Sequence, residues 1–216
     1  MITLIGTPLS SYTAKVRIAL DFKCITYIER EPEGGYRSAN WREVVPSGTI
    51  PAIDHDGFVL AESEAILEYL EECWPEPTLL PGSAQDRARI RWLARLHDLH
   101  VEPRVRALFP LVREPQGPAR LAGPLATLQE QITVLNQITR PAPFLGGSGL
   151  SLADCGFVVS LSLAGMIAER LGGVLRLPEA LDRWLLETRQ QPALAKALEA
   201  WQHATHSWLQ NARPST

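Results

Sequence analysis

A proline-rich stretch, Trp74-Pro75-Glu76-Pro77-Thr78-Leu79-Leu80-Pro81-Gly82, divides the chain into two parts with different hydrophobic patterns. Proline fixes φ and removes a backbone donor, so neither a helix nor a paired strand runs through such a stretch. Before it, apolar runs switch between strand and helix periods. Residues 2–5 are a short apolar run stopped by Gly6-Thr7-Pro8, which reads as a buried strand and a turn. Val16, Ala19 and Leu20 then recur at i, i+3 and i+4, the stripe of an amphipathic helix starting near Ser11 or Tyr12. Ile25, Tyr27 and Ile28 suggest a second strand, 31–36 is loop chemistry, and 37–44 suits a short irregular helix. Residues 51–60 read as a hairpin whose Asp56-Gly57 supplies the positive φ angles of a tight turn. Ile66, Leu67, Leu70 and Trp74 mark a helix that ends before Pro75. Strand, helix, strand, short helix, hairpin, helix is the order of a compact α/β unit with a mixed sheet.

Beyond the prolines no segment has a convincing strand pattern. Ser83 suits the N-cap of a long helix carrying Ile90, Leu93 and Leu96, which Pro103 and Pro110 should bend or end. Residues 114–118 read as a loop, and Leu125, Leu128, Ile132, Leu135 and Ile138 form the stripe of another helix. Ser151-Leu152-Ala153-Asp154 has the form of a capping box, and the helix it opens is apolar almost all round, as a central buried helix is. Two more helices are expected near 178–190 and 193–209. The domains expected from this pattern are an α/β unit over 1–78 and an all-helical unit over 84–216.

Composition narrows the function classes. Lys+Arg 21 against Asp+Glu 24 gives a formal net charge of -3, without the basic excess a nucleic-acid binder needs to neutralise phosphates. The apolar run 155–168, bounded by Asp154 and Glu169, falls short of the ~18–20 residues that cross a bilayer. The N-terminus has no positively charged region before its apolar run and does not read as a signal peptide. Cys24, Cys73 and Cys155 lie far apart with no Cys-x-x-Cys pair, which supports no disulfide framework, zinc cluster or dithiol motif. His97/His100 and His203/His206 are spaced i, i+3 but lack a third ligand in sequence, so no metal is expected. A cytoplasmic protein, with neither membrane nor nucleic acid as partner, is the resulting expectation.

Four segments together resemble the glutathione S-transferase superfamily. Thr7-Pro8-Leu9-Ser10-Ser11-Tyr12-Thr13-Ala14-Lys15-Val16-Arg17-Ile18-Ala19-Leu20 resembles the first strand-to-helix junction of its bacterial members. Val45-Pro46-Ser47-Gly48-Thr49-Ile50-Pro51-Ala52-Ile53 is similar to the Asn-Pro-x-Gly-x-Val-Pro segment, whose last proline is cis. Leu60-Ala61-Glu62-Ser63-Glu64-Ala65-Ile66 resembles the Glu-Ser-x-Ala-Ile helix start, and Phe144-Leu145-Gly146-Gly147 before 150–154 resembles the loop and cap of the buried helix. The resemblance implies an α/β thioredoxin-like N-terminal domain that binds glutathione, an all-α helical C-terminal domain carrying the electrophile pocket, and a homodimer. Two departures stand out. Val45 replaces the motif's Asn, removing that residue's turn-stabilising bond, and Ser11 replaces a frequent proline.

The roles that the resemblance implies for single residues rest on the chemistry of a thiol. Only the thiolate is a good nucleophile, and lowering a thiol pKa by about two units takes roughly 2.7 kcal/mol. Ser10 matches the position whose hydroxyl donates a hydrogen bond to the thiolate at a helix N-terminus, with Ser11 and Tyr12 as alternatives. A serine there is also an ordinary N-cap. Ile50, before Pro51, matches the residue whose N–H and C=O pair with the cysteinyl backbone. Ser63 matches the holder of the γ-glutamyl carboxylate and Glu62 lies near the ammonium group. Arg37, or else Arg42, matches a base for the glycyl carboxylate, and Asp98 matches an acid that reaches a partner subunit's ligand. Tyr12, Leu96, His100, Arg104 and Leu108 are candidates for the wall that receives a small hydrophobic electrophile.

The expected function is a glutathione transferase, with glutathione as co-substrate and no metal. A glutathione-dependent cis–trans isomerase of maleyl compounds, of the zeta type, is the alternative that the Ser10-Ser11 and Val16-Arg17-Ile18-Ala19-Leu20 run suggests. A non-catalytic member of the same fold, binding a stress-response or transcription partner, is another. Serine rather than cysteine at position 10 argues against thiol–disulfide exchange.

Overall fold

A computed structural model describes residues 1–114 and 117–212. The chain forms two compact units: residues 1–79 with 191–204, and residues 80–190 with those from Thr205 on.

In the first unit four strands form one mixed sheet in the order β2-β1-β3-β4. β1 (Ile2–Ile5) is central and buries Ile2, Leu4 and Ile5. It pairs in parallel with β2 (Tyr27–Arg30) and antiparallel with β3 (Ala52–His55), which pairs with β4 (Phe58–Ala61). The β3–β4 turn is as expected, with Asp56 at φ 51 and Gly57 at φ 93, and Asp54 Oδ1 accepts the Gly57 N–H at 2.8 Å. The helices are α1 (Ser11–Phe22), α2 (Ala39–Val44) and α3 (Ser63–Cys73). α1 buries Ala14, Val16, Ile18, Ala19 and Leu20, and α3 buries Ile66, Leu67 and Leu70.

A buried lysine ties the proline-rich stretch to this unit. Lys23 Nζ lies 2.6 Å from Glu71 Oε2, 2.6 Å from the Trp74 carbonyl and 2.9 Å from that of Pro77. Glu71 also accepts from the Thr78 hydroxyl and from the Leu79 N–H. Burial alone would raise the Glu71 carboxyl; the bonds from Lys23, Thr78 and Leu79 outweigh it and hold the group below its ordinary value.

The second unit is helical, and among its described residues β pairing is limited to one isolated bridge, Phe144 with Gly147. α4 (Ala84–Leu96) starts at a capping box of Ser83 and Asp86. The break expected at Pro103 begins earlier, in a π turn, His97–Val101, before α5 (Glu102–Arg106). Pro103 has no N–H for the Leu99 carbonyl and its ring crowds that oxygen; the wider turn, closed by the Glu102 N–H on the His97 carbonyl, accommodates it. α6 (Phe109–Arg113) carries Pro110 in its first turn. The loop expected over 114–118 is cut short by the helical turn α7 (Gly117–Arg120), and its Pro115 and Gln116 lie outside the described residues.

α8 (Ala122–Ile138) precedes the capping box, which forms as expected at the start of α9 (Leu152–Arg170). Asp154 accepts from Ser151 N–H at 2.9 Å, Ser151 Oγ at 2.5 Å, Leu145 N–H at 2.9 Å and Trp184 Nε1 at 2.8 Å. Burial pushes its carboxyl up while these bonds favour the charge. With 19 residues, α9 is long and apolar enough to cross a membrane, contrary to the count over 155–168, because the helix includes the charges that bounded that run. Its most apolar window is 83% buried inside the protein. α10 (Glu179–Arg189) and α11 (Pro192–Asn211) complete the chain.

Candidate active site

The sheet register explains why distant segments meet. Ile5, the last residue of β1, pairs with Arg30, the last of β2, and with Ala52, the first of β3. Ala52 in turn pairs with Ala61, the last of β4. The segments leaving β1, β2 and β4 and the segment entering β3 therefore share one end of the sheet. They carry Ser10, Arg37, Glu62-Ser63 and Ile50-Pro51, respectively.

Ser10 is the N-cap of α1, and its Oγ accepts the Thr13 N–H at 3.2 Å. Accepting leaves the hydroxyl proton available, so the cap and a donor role to an anion are compatible. Ser11 is 4% exposed in the first turn, while Ser10 and Tyr12 are half-buried. Gly6 lets Thr13 sit against the strand end, since a Cβ there would stand 2.3 Å from Thr13 Oγ1.

Ile50-Pro51 is cis. The Ile50 side chain packs on the cluster of Ile5, Trp41, Val45 and Ala52, and Trp41 Nε1 donates to the Thr49 carbonyl at 3.0 Å. α3 begins at an unusual backbone: Glu62, its N-cap, has φ 71 and ψ 110 and makes no side-chain cap bond. A non-glycine residue in this region costs on the order of 1–3 kcal/mol, and such residues cluster at binding sites. Ser63 comes next, 7% exposed, as the first helical residue and not as the cap. Glu64 beside it forms an ion pair at 2.6 Å with the buried Lys15 of α1.

Arg37 and Arg42 separate clearly. Arg42 directs its guanidinium to the carbonyls of Arg37, Pro46 and Ser47 at 3.3–3.4 Å. Arg37 is exposed, at φ 63, with its guanidinium carbon 5.1 Å from the Tyr36 ring centroid.

The proposed electrophile-wall residues are scattered in character. Tyr12 is in the first turn of α1. In the helical unit Leu96 and Leu108 are buried core residues, whereas His100 is exposed and its carbonyl accepts from Arg104 Nη1 at 2.6 Å. Asp98 pairs with the buried His97, whose Nε2 lies 2.7 Å from Ser160 Oγ. Gly156 leaves room for that imidazole, as a Cβ would stand 2.8 Å from it. Among the described residues no cluster of three or more His, Cys, Asp or Glu could hold a metal. Trp41 and the Lys15–Glu64 pair escaped the sequence reading: an indole in a short irregular helix and a lysine on an apolar helix carry no local signal of their partners.

Residues 4–78 match a family model described as the N-terminal domain of glutathione S-transferases. The chain is 29% identical over 206 residues to a probable glutathione S-transferase of rice, covering 92% of this chain and 81% of that one. It is 29% identical over 181 residues to a glutathione S-transferase of Pseudomonas putida, covering 79% and 78%. Residues 4–78 are a glutathione S-transferase N-terminal domain, and the chain as a whole is similar to members of that superfamily. Its fold agrees: a holo structure of a zeta-class bacterial glutathione S-transferase, maleyl pyruvate isomerase, superposes with a TM-score of 0.72 at 25% identity, covering 90% of this chain and 95% of the other. Within the superfamily the matched N-terminal model spans every residue converging on the sheet end, from Ser10 to Ser63.

Proposed function

We propose that the chain is a glutathione transferase that binds the tripeptide across the shared end of its four strands. The observation that carries this reading is the register that brings Ser10, Arg37, Ile50 and Ser63 to that end. Ser63 and the free N–H groups of α3 receive the γ-glutamyl carboxylate, with Glu62 facing the ammonium group. Ile50 pairs with the cysteinyl backbone and Arg37, whose guanidinium is not spent on loop carbonyls, takes the glycyl carboxylate.

Ser10 then donates a hydrogen bond to the sulfur while its lone pair keeps the Thr13 N–H. A serine cannot serve as the base, so the thiol proton leaves to solvent, and the thiolate is held by the hydroxyl and the N-terminus of α1. The thiolate attacks the electrophile, forming a C–S bond as the leaving group departs with its electron pair. The cytoplasm as location and a homodimer as assembly belong to the same reading. Exposed Phe58 and Val59 on the outer strand β4 support the dimer.

The test is retention on immobilised glutathione followed by conjugation of a chromogenic aryl halide. Retention with turnover is expected; failure of both overturns the reading in favour of a non-catalytic binding protein of this fold. The likeness to the zeta-class maleyl pyruvate isomerase supports a second reading, in which the thiolate adds to a cis double bond, the bond rotates, and the thiolate is expelled. Turnover of a maleyl compound without turnover of the aryl halide would select it.

A further inference from the structure

We propose that Trp41 is a positioning residue for glutathione, aiming the Ile50 N–H at the ligand by anchoring the other half of the same peptide group; this rests on the reading that Ile50 pairs with the cysteinyl backbone. Thr49 C=O and Ile50 N–H belong to one trans peptide plane and point in opposite directions. The Trp41 indole, 1% exposed, holds the Thr49 carbonyl at 3.0 Å. The indole belongs to the cluster of Ile5, Val45 and Ala52, on which the Ile50 side chain also packs. With the carbonyl drawn to that cluster, planarity turns the Ile50 N–H away from it, and no described group accepts this N–H.

The neighbouring residue is restrained too. Thr49 N–H donates to Ser47 Oγ at 3.4 Å, and the two hydroxyls lie 2.6 Å apart. Val45, across the same loop, has no polar side-chain atom, so the indole supplies the side-chain bond that fixes the peptide from the core side. A peptide that could rotate would turn the Thr49 oxygen toward the ligand and present an acceptor where a donor is needed. Trp41 touches no substrate; it acts through the peptide.

Trp41→Phe keeps an aromatic ring and removes the donor. Glutathione affinity should fall about tenfold, the scale of one hydrogen bond, with kcat at saturating glutathione within about twofold, because Ser10 is untouched. Amide NMR during glutathione titration gives the decisive readout. In the wild type both Ile50 and Ser63 N–H should respond; in the variant the Ser63 response should persist at saturation and that of Ile50 should be lost. Site-specific replacement of Trp41 by benzothienylalanine, in which sulfur replaces the N–H, should give the same result with the ring volume kept. Unchanged affinity and an unchanged Ile50 response in either variant would overturn the proposal. A wild type in which neither amide responds would overturn the glutathione reading itself, and the proposal with it.

Discussion

At the scale of single residues, the end of the sheet depends on groups whose partners lie outside their own element. Gly6 is one: a Cβ would stand 2.3 Å from Oγ1 and 2.5 Å from Cγ2 of the buried Thr13. A β-branched side chain in a helix cannot turn aside, so Gly6→Ala should cost about 1–3 kcal/mol in urea unfolding, and Thr13→Ala in the same chain should recover most of it. The arginines differ in the same way. Arg37→Ala should raise the KM for glutathione about tenfold with the melting temperature unchanged, whereas Arg42→Ala should lower the melting temperature as well, because three carbonyls lose their donor. Ser10, Ile50 and Ser63 were open to proposal because their types recur in recognisable motifs. Choosing between Arg37 and Arg42 was not, since it turns on which guanidinium the loop carbonyls occupy.

At the scale of elements, the helix starts and the hairpin obey local chemistry closely. Ser83, Ser151 and Asp56-Gly57 each carry their signal within four residues, and each appears where that signal puts it. The π turn at His97–Val101 does not, because its cause is Pro103 acting on a carbonyl one turn back. The clasp of Lys23 and Glu71 is equally invisible to periodicity, as its partners stand 48 residues apart. It makes a pH prediction with a definite sign. The folded-state Glu71 carboxyl lies below its ordinary value of 4.5, so the unfolded chain binds the proton more tightly. Its stabilisation is complete above about pH 4.5 and is lost as the pH falls through the folded-state value. Thermal melting from about pH 7 to pH 3 should therefore show a shallower acid decline in Glu71→Gln than in the wild type, from a lower starting point. Parallel curves would contradict the role given to the clasp.

At the scale of the whole molecule, two units of different texture share one chain. The interruption at the prolines was readable because Pro75, Pro77 and Pro81 exclude both regular structures. The grouping of 191–204 with the first unit was not. Within that unit Arg17, paired with Glu29, donates to the Ala197 carbonyl across 180 residues of sequence, a contact that no local pattern announces. The electrophile wall stayed unreadable for a related reason. Helical periodicity reports which face is buried, and the apolar stripe that holds Leu96 does not separate core from pocket. The central claim is that this chain binds glutathione at the end of its sheet and uses the Ser10 hydroxyl to keep the sulfur ionised. The most direct measurement is the pH at which protein-bound glutathione forms thiolate, monitored by ultraviolet absorbance in the wild type and in Ser10→Ala. The wild type should ionise the bound thiol about two units below the free value of ~8.5, and Ser10→Ala should return it most of the way. A bound thiol that ionises at the free value, or one that Ser10→Ala leaves unchanged, would contradict the account.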